Sequence, residues 1–372
     1  MPTALSPATS ESPFRSAHTP GFAPLLQRLG ITLFVTTYQA GKVMAIRAQG
    51  ERISTLLRGF EHPMGLAVRD GELALGTRCQ VWLFRDAPDI AAQLGPPHDA
   101  CYIPRVSYVT GDIRGHEIAW VGGELWIVNT LFSCLCTVDP RYSFVPRWHP
   151  AFLAGPAPGD HCHLNGLAVS GGNARYVTAL GATDTPGGWR PTKADGGVLI
   201  DVPTREIVSR GMCMPHSPRL HQGKLWLLES GTGRLHIVDE KAGSRTPVAQ
   251  LPGFVRGLAF AGPYAFIGLS KIRESATFGN LPIAAKPADL QCGIWVVDVA
   301  KGTVVEFMQF EAGVEEIFAV EVLAGCRYPE ILGFQQETIR GAFVVPRGET
   351  QTSEVFRDFG SLPDRESRPH DR

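Results

Sequence analysis

One unit of the chain decides the fold, and it reads Gly123-Glu-Leu-Trp-Ile-Val-Asn129 followed by Leu135-Cys-Thr-Val-Asp139. A turn glycine opens the first run, and an acidic turn closes the second. Short apolar runs rich in β-branched and aromatic residues between such turns predict two paired β-strands. A third run, Glu117-Ile-Ala119, precedes them, and its small residues predict an inner strand that packs closely against its neighbours.

This unit recurs along the chain. Turn glycines open similar strands at Gly71, Gly223 and Gly262. The position of Ala119 has equivalents in the other copies at Ala67, Ala168, Arg219, Ala259 and Phe318. A repeat of about 40–50 residues that is built of strands, without amphipathic helices, is typical of a β-propeller. We therefore expect an all-β fold, a single propeller of four-stranded blades.

The number of blades depends on which strands are counted. The hairpins of second and third strands number seven if 32–38 with 42–47 and 329–334 with 341–345 are included, whereas clear inner strands number six. We expect seven blades, with six as the alternative. The propeller is predicted to span residues 21–358, between disordered tails at 1–20 and 359–372, which are polar and rich in Pro, Ser and Arg.

Composition excludes several classes of protein. The 35 Lys and Arg residues balance 36 Asp and Glu, so nothing favours nucleic acid or an anionic membrane surface. No apolar run is long enough for a transmembrane helix, and residues 1–20 do not resemble a signal peptide. Eight cysteines without a CxxC pair are typical of buried, reduced thiols. These features predict a cytoplasmic bacterial protein.

Histidines recur where the inner strands begin. Positions three and five residues before the Ala67 equivalents share one face of a strand, so side chains there should ring one mouth of the channel. Neutral imidazoles converging from several blades suit zinc, iron, manganese or copper. We therefore predict a divalent metal site formed by His62, His116, His163 and His216. Glu315 and Arg256 are the predicted catalytic residues, Glu315 as a ligand or base. A metal-free pocket and purely structural histidines are the alternatives.

Polar residues near the ends of the second strands predict a substrate surface on the same face. Two connections there are long, 183–195 and 270–291, and long loops often serve as lids or contact arms. Trp189 either presents an aromatic face or fills a neighbouring blade. Several cations suggest an anionic substrate. The predicted substrate-binding residues are Arg78, Asn129, Asp184, Trp189, Arg190, Glu229, Lys271 and Arg273.

Several long motifs carry a resemblance to a known family. They include His163-Leu-Asn-Gly-Leu-Ala, Asp184-Thr-Pro-Gly-Gly-Trp-Arg-Pro, Met214-Pro-His-Ser-Pro-Arg and Gly268-Leu-Ser-Lys-Ile-Arg-Glu. Over about residues 20–345 the chain resembles an uncharacterised bacterial family of conserved hypothetical proteins, a domain of unknown function, which implies no activity. In architecture and axial residues alone it is similar to metal-centred propeller lactonases and lyases and to four-histidine iron oxygenases.

Two functions are expected from these observations. The first is a metal-dependent enzyme that acts on a small or peptide-borne anionic substrate at the channel mouth, as a hydrolase, lyase or oxygenase. The second is a non-catalytic propeller module that binds a protein or peptide partner at the same mouth. A buried metal with an open position would favour the first, and a flat apolar or charged rim would favour the second.

Overall fold

Glycine turns separate the strands of each blade. The turn glycines Gly71, Gly123, Gly223 and Gly262 all have positive φ, at 65°, 89°, 70° and 56°, which side chains with a Cβ rarely adopt. The structure, a computed structural model, describes residues 13–272, 279, 281–285, 287–334 and 337–345. In these residues the predicted short strands follow each turn.

The strands in chain order are Arg15–His18 (β1), Ile31–Thr37 (β2), Lys42–Gln49 (β3), Arg52–Gly59 (β4), Leu66–Arg69 (β5), Glu72–Gly76 (β6), Gln80–Asp86 (β7), Ala100–Val109 (β8), Gly115–Val121 (β9), Glu124–Asn129 (β10), Cys134–Thr137 (β11), Val145–Trp148 (β12), Leu164–Ser170 (β13), Asn173–Ala179 (β14), Gly197–Asp201 (β15), Ile207–Met212 (β16), Pro215–His221 (β17), Lys224–Glu229 (β18), Arg234–Val238 (β19), Arg245–Gln250 (β20), Phe254–Ala261 (β21), Tyr264–Ser270 (β22), Gly293–Asp298 (β23), Thr303–Ala312 (β24), Ala319–Ala324 (β25) and Pro329–Ile331 (β26). Two α-helices accompany them, Phe22–Leu29 (α1) and Pro88–Leu94 (α2), with 3₁₀ turns at Pro282–Ala285, Pro287–Asp289 and Glu337–Gly341.

The strands form six antiparallel blades, which confirms the predicted propeller of four-stranded blades. The first five blades are built in chain order from β5–β8, β9–β12, β13–β16, β17–β20 and β21–β24. The sixth takes its inner strand, β25, from the end of the chain and its other strands, β2–β4, from the beginning. Pairing of β2 with β25 closes the ring, with Val35 opposite Val320.

The expectation of seven blades was wrong, and six is the observed number. The strands counted as a first hairpin, 32–38 and 42–47, belong to the blade whose inner strand is β25. The segment counted as a last hairpin does not form one: β26 adds to the outer strand β8 in parallel, and Glu337–Gly341 is a 3₁₀ turn. Parallel addition at an outer edge leaves no sequence pattern that separates it from a hairpin strand.

Two strands lie outside the four-stranded pattern. β1 pairs with β24 and gives the fifth blade a fifth strand, so residues 15–18 of the predicted N-terminal tail are part of a sheet. β26 does the same for the first blade, where it is fastened by the ion pair of Arg58 with Glu330. Residues 1–12 of the predicted N-terminal tail, residues 346–358 of the predicted propeller and the predicted C-terminal tail, 359–372, lie outside the described residues.

Hydrophobic side chains fill the spaces between blades. Phe34 of β2 and Leu75 of β6 are fully buried in the cluster that joins the sixth blade to the first. Burying one such side chain contributes roughly 1.5–3 kcal/mol, so each blade interface stabilises the ring by several such steps. All eight cysteines are free thiols, seven of them buried, as expected. No helix among the described residues is long and apolar enough to cross a membrane.

Candidate functional site

A β-bulge at the same place in four inner strands sets the direction of the site side chains. In β9, His116 and Glu117 together occupy the place opposite a single residue, Val128. The register shifts at the equivalent place in three further inner strands, between Leu164 and Gly166, between His216 and Arg219, and between Arg256 and Leu258. A bulge re-aims side chains, so neighbours such as His116 and Glu117 both reach the axis.

The starts of the inner strands surround one small cavity on the axis, which we call the axial chamber. Its volume is about 20 Å³, and a cavity needs roughly 10–15 Å³ to hold one water molecule. Four polar side chains from four different blades line it: His116, Asn165, His216 and Arg256. The structure thus brings together two of the four predicted histidines with two further residues of the predicted ring.

His116 and His216 have matching surroundings in the second and fourth blades. The Nδ1 atom of His116 lies 2.7 Å from Thr130 Oγ1 and 3.1 Å from the Arg114 carbonyl oxygen. The Nδ1 atom of His216 lies 2.9 Å from Ser230 Oγ and 3.0 Å from the Met214 carbonyl oxygen. Burial holds the pKa of both imidazoles well below its ordinary value, and the positive charge of Arg256 adds to this effect. Both rings are therefore neutral at neutral pH.

His163 stands beside His116, with the ring centroids 4.9 Å apart and edge to face. Its Nδ1 lies 2.9 Å and 3.0 Å from the two carboxylate oxygens of Asp160, which also attracts Arg114 at 3.5 Å. Sequence reasoning missed Asp160. The signal that could have found it is its position three residues before a histidine in a short, His-rich loop. Asp160 and His163 both have positive φ, 55° and 52°, so the loop is held in a strained conformation.

Arg256 is the cation of the chamber. Its guanidinium carbon lies 3.4 Å from the centre of the Phe318 ring, and its Nη1 lies 3.6 Å from Glu316. Burial lowers the pKa of Arg256 to about 10, against the opposing pull of Glu316 and Glu117, so the side chain remains positive at neutral pH. The carboxylate that meets Arg256 is therefore Glu316.

The predicted catalytic residue Glu315 does not line the chamber. Its backbone N–H donates to Gln39 at 3.3 Å, and its carbonyl accepts from Lys271 at 2.8 Å. The inner strand of the sixth blade begins at Ala319, and Ala319 lines the chamber together with Phe318. The carboxylate that the sixth blade supplies to the chamber wall is Glu321, inside β25, and not Glu315.

Two buried donors around the chamber have no hydrogen-bond acceptor in the described part of the chain. They are Nη2 of Arg256 and Nδ2 of Asn165. The other end of the Asn165 amide is fixed, because its Oδ1 accepts from Thr178 at 2.7 Å. Buried polar groups are usually paired, and an unpaired donor costs roughly 1–3 kcal/mol. An acceptor-bearing group in the chamber, such as a water molecule or an oxyanion, would satisfy these donors.

Three further charged side chains form part of the chamber wall. Arg219 pairs with Glu117 and, at 3.6 Å, with Glu321, and all three line the chamber. Burial raises the pKa of Glu321 to about 7, with Arg219 opposing the shift.

The corner that precedes each inner strand has one recurrent conformation. His62, Arg114, His163 and Met214 all have φ between 45° and 53°, so the positions predicted to be equivalent are equivalent in structure. His62 nevertheless does not line the chamber. Its ring stacks on Tyr38 at 4.4 Å, and its buried Nδ1 makes no hydrogen bond to any described residue. It belongs to the rim of the mouth.

The structure gives no preformed ligand set for the predicted metal. In the part of the chain that the structure describes, no three His, Cys, Asp or Glu side chains are grouped so that they could hold one ion. The four predicted ligands divide instead into His62 on the rim, His163 beside it, and His116 and His216 on the chamber wall.

The loop 183–195 is fastened by its own aromatic side chain. Trp189 is 1% exposed and packs with its ring 4.4 Å from that of His163, so it fills the space between blades and presents no open face. The guanidinium carbon of Arg190 lies 4.5 Å from the centre of the Trp189 ring. Asp184 accepts from His161 at 2.9 Å and from the backbone of Ala154 at 3.0 Å.

The other predicted substrate-binding residues serve local structure. Asn129 accepts from the backbone of Phe132 at 3.0 Å, and Glu229 accepts from that of Cys213 at 2.9 Å and faces His236 at 3.1 Å. Arg78 is exposed and pairs with Asp112 at 3.3 Å. Lys271 is exposed near the mouth, and Arg273 lies outside the described residues. None of these described side chains reaches the chamber.

Comparison with known proteins identifies a family and a fold. A family model described as a domain of unknown function, DUF4915, matches residues 20–332, which confirms the resemblance seen in the sequence. No curated protein matches the chain.

Among solved structures, a chain of a nidogen/laminin complex is similar, with a TM-score of 0.52 and 10% identity over 80% of this chain and 99% of that one. A protein of unknown function from Bacteroides caccae matches with a TM-score of 0.48 and 11% identity, over 79% of this chain and 98% of that one. At such identity the first likeness shows the fold alone.

Proposed function

The chain belongs to the DUF4915 family, and we propose that it is an enzyme that binds a small molecule at the axial chamber and transfers protons there. The chamber has room for about one water molecule, so only a carboxylate or similar oxyanion of the molecule enters it, after side-chain movement. Arg256 and Asn165 hold this anionic group, and the neutral imidazoles of His116 and His216 act as bases toward the rest of the molecule. The expected anionic substrate is kept in this proposal, while the metal is no longer required.

The observation that carries the proposal is the pair of buried donors without an acceptor, Arg256 Nη2 and Asn165 Nδ2. The two donors come from the third and fifth blades and line one cavity, so each could bond one oxygen atom of a carboxylate. An N–H bond from a charged group to an oxyanion is roughly twice as strong as a neutral one. The guanidinium is fixed between Phe318 and Glu316, so little entropy is lost when it binds.

Acid–base chemistry follows from the neighbouring rings. His116 and His216 are neutral because they are buried close to Arg256. A bound anion would offset the charge of Arg256, and either ring could then accept a proton from a carbon or oxygen atom of the substrate. Positioned general bases contribute about 10²–10⁴-fold to a reaction rate.

The test has a binding part and a reaction part. In protein-observed NMR titrations we expect acetate, but not the neutral acetamide, to shift the backbone signals of Gly257 and Asn165. Arg256→Gln should weaken acetate binding at least tenfold, whereas Arg234→Gln, an exposed arginine on β19, should not. Acetate that binds equally to both variants, or not at all, contradicts the proposal.

The reaction part uses a panel of small carboxylic acids in deuterated water. We expect deuterium at the carbon next to the carboxylate of at least one acid, and none with the His116→Gln, His216→Gln double variant. Binding without exchange over the whole panel would contradict the catalytic part and favour the alternative of a non-catalytic binding module.

A metal centre is a second candidate, favoured by one observation. In His116, His163 and His216 the Nδ1 atom is engaged by oxygen atoms, which leaves Nε2 available, and this is the usual arrangement of metal-bound histidines. These three residues would hold the ion after side-chain rotation, and the ion would act as a Lewis acid. Arg256 disfavours a cation at this place by charge repulsion.

A further inference from the structure

Four blades are joined to the next blade by a hydroxyl group at the end of their second strand. Each hydroxyl donates to a main-chain carbonyl at the inner strand of the following blade. The four bonds run from Thr36 to Met64 at 2.5 Å, from Thr130 to Leu164 at 2.6 Å, from Ser230 to Val255 at 2.5 Å, and from Ser270 to Ile317 at 3.2 Å. The hydroxyl proton is thereby committed in every case.

Each of these oxygen atoms also has a nitrogen neighbour. For Thr36 and Ser270 it is a main-chain N–H, that of Ala319 at 3.1 Å and of Ile317 at 3.0 Å, which can only donate. For Thr130 and Ser230 the nitrogen neighbour is an imidazole Nδ1 of their own blade, that of His116 and of His216. The hydroxyl group is thus an acceptor toward nitrogen in the two cases where the direction is fixed.

The proton on each imidazole can be located from this pattern. The Nδ1 atoms of His116 and His216 also face the carbonyls of Arg114 and Met214, which only accept. An unprotonated Nδ1 would place its lone pair against a carbonyl oxygen. To donate to that nitrogen, Thr130 or Ser230 would have to give up its hydrogen bond to the carbonyl of the next blade. With the proton on Nδ1, every one of these groups is satisfied.

We propose that Thr130 and Ser230 are positioning residues that force His116 and His216 into the Nδ1–H tautomer, so that both rings present an unprotonated Nε2 to the axial chamber. The inference rests on the proposed function only in the role of Nε2 as a base; the tautomer itself does not depend on that function. The same two hydroxyl groups therefore join the blades and aim the bases, whereas Thr36 and Ser270 only join blades.

The chain supplies matched controls for the test. Thr130→Val and Ser230→Ala remove the hydroxyl group next to a histidine, and Thr36→Val and Ser270→Ala remove an equally buried one next to a main-chain N–H. The tautomer is read from long-range ¹H–¹⁵N correlations of the full-length protein with ¹⁵N-labelled histidine, without ligand, and His116→Gln and His216→Gln assign the signals. Thr130→Ser, which keeps the hydroxyl group, serves as the conservative variant.

We expect a single Nδ1–H pattern for His116 and His216 in the wild type, in Thr130→Ser and in both controls. Thr130→Val should lose that single pattern at His116 alone, and Ser230→Ala at His216 alone. An Nε2–H pattern in the wild type, or an unchanged pattern in Thr130→Val and Ser230→Ala, overturns the inference. Because no ligand is present, failure of acetate to bind would not affect this result, so the two proposals fail separately.

Discussion

Arg256 of the fifth blade lies over Phe318 of the sixth, with its guanidinium carbon 3.4 Å from the centre of the Phe318 ring. The contact crosses the interface between these two blades and restricts the guanidinium. Its Nη1 lies 3.6 Å from Glu316, whereas its buried Nη2 has no acceptor among the described residues. The proposed anion-binding donor is therefore held in place by Phe318 and Glu316.

Phe318→Leu tests this preparation. Leucine keeps an apolar contact but offers no π face, so the guanidinium loses an interaction worth roughly 0.5–2 kcal/mol in its bound orientation. We expect acetate affinity to fall by about twofold to thirtyfold, as measured by NMR titration. Phe343→Leu, at an exposed phenylalanine, is the control. Equal affinities for the two variants would mean that the stacking does not orient Arg256.

Glu321 should make folding stability depend on pH. Its pKa is raised by burial to about 7 from an ordinary value of 4.5, so the folded state keeps a proton that the unfolded chain releases first. This contribution is complete below about pH 4.5 and is lost as pH rises toward 7. Glu321→Gln cannot ionise, so the variant does not lose this stability as pH rises. Between about pH 4.5 and 7, the free energy of unfolding of the variant minus that of wild type should rise by up to about 3 kcal/mol.

Urea denaturation at several pH values between 4.5 and 7.5 measures this difference, with the exposed Glu311→Gln as control. Parallel stability profiles for wild type and Glu321→Gln would show that Glu321 is ionised in the folded protein throughout.

Trp189→Ala should destabilise the protein although Trp189 lies in a loop. The side chain is 1% exposed and packs with Leu180, Met214 and Phe254. Removal of a buried aromatic residue costs about 3–5 kcal/mol, whereas Tyr142→Ala, at a residue 61% exposed, should change stability by less than about 0.5 kcal/mol. Urea denaturation gives both changes in the free energy of unfolding. A small change for Trp189→Ala would contradict the packing role and favour the interpretation that Trp189 presents an aromatic face to a ligand.

Elemental analysis decides between the two candidate functions. For a metal centre, protein purified without a histidine tag should contain about one equivalent of iron, zinc, manganese or copper, lost in folded His116→Ala and His216→Ala variants. The anion pocket predicts no stoichiometric metal and no uptake after incubation with each ion. A bound equivalent that both variants lose would contradict the anion pocket.

The repeat could be predicted from the sequence because each blade interface needs the same glycine turns and apolar runs. Two kinds of local irregularity could not be predicted. We expected side chains to ring the channel mouth because residues alternate strictly along a strand. The bulge at His116 and Glu117 breaks this alternation, and no residue pattern marks the bulge. Glu315 was misplaced where the ring closes, because the carboxylate of the sixth blade that lines the chamber is Glu321, inside the strand that begins at Ala319.

Asp160 was missed for a different reason. Its contact with His163 depends on a strained loop that folds it back onto the imidazole, and spacing alone does not show this. Conversely, Asn129, Asp184 and Glu229 are polar and close to strand ends, as site residues often are, but they satisfy main-chain donors. Polar residues at strand ends serve turns as often as ligands, and only the hydrogen-bond partners distinguish the two.

The most direct measurement of the central claim is a crystal structure of the wild-type protein with acetate, at the concentration that saturates the NMR titration. We predict that the acetate carboxylate lies in the axial chamber, within hydrogen-bond distance of Arg256 Nη2 and Asn165 Nδ2. A chamber without acetate, or acetate bound elsewhere while both donors face another group, would contradict the account.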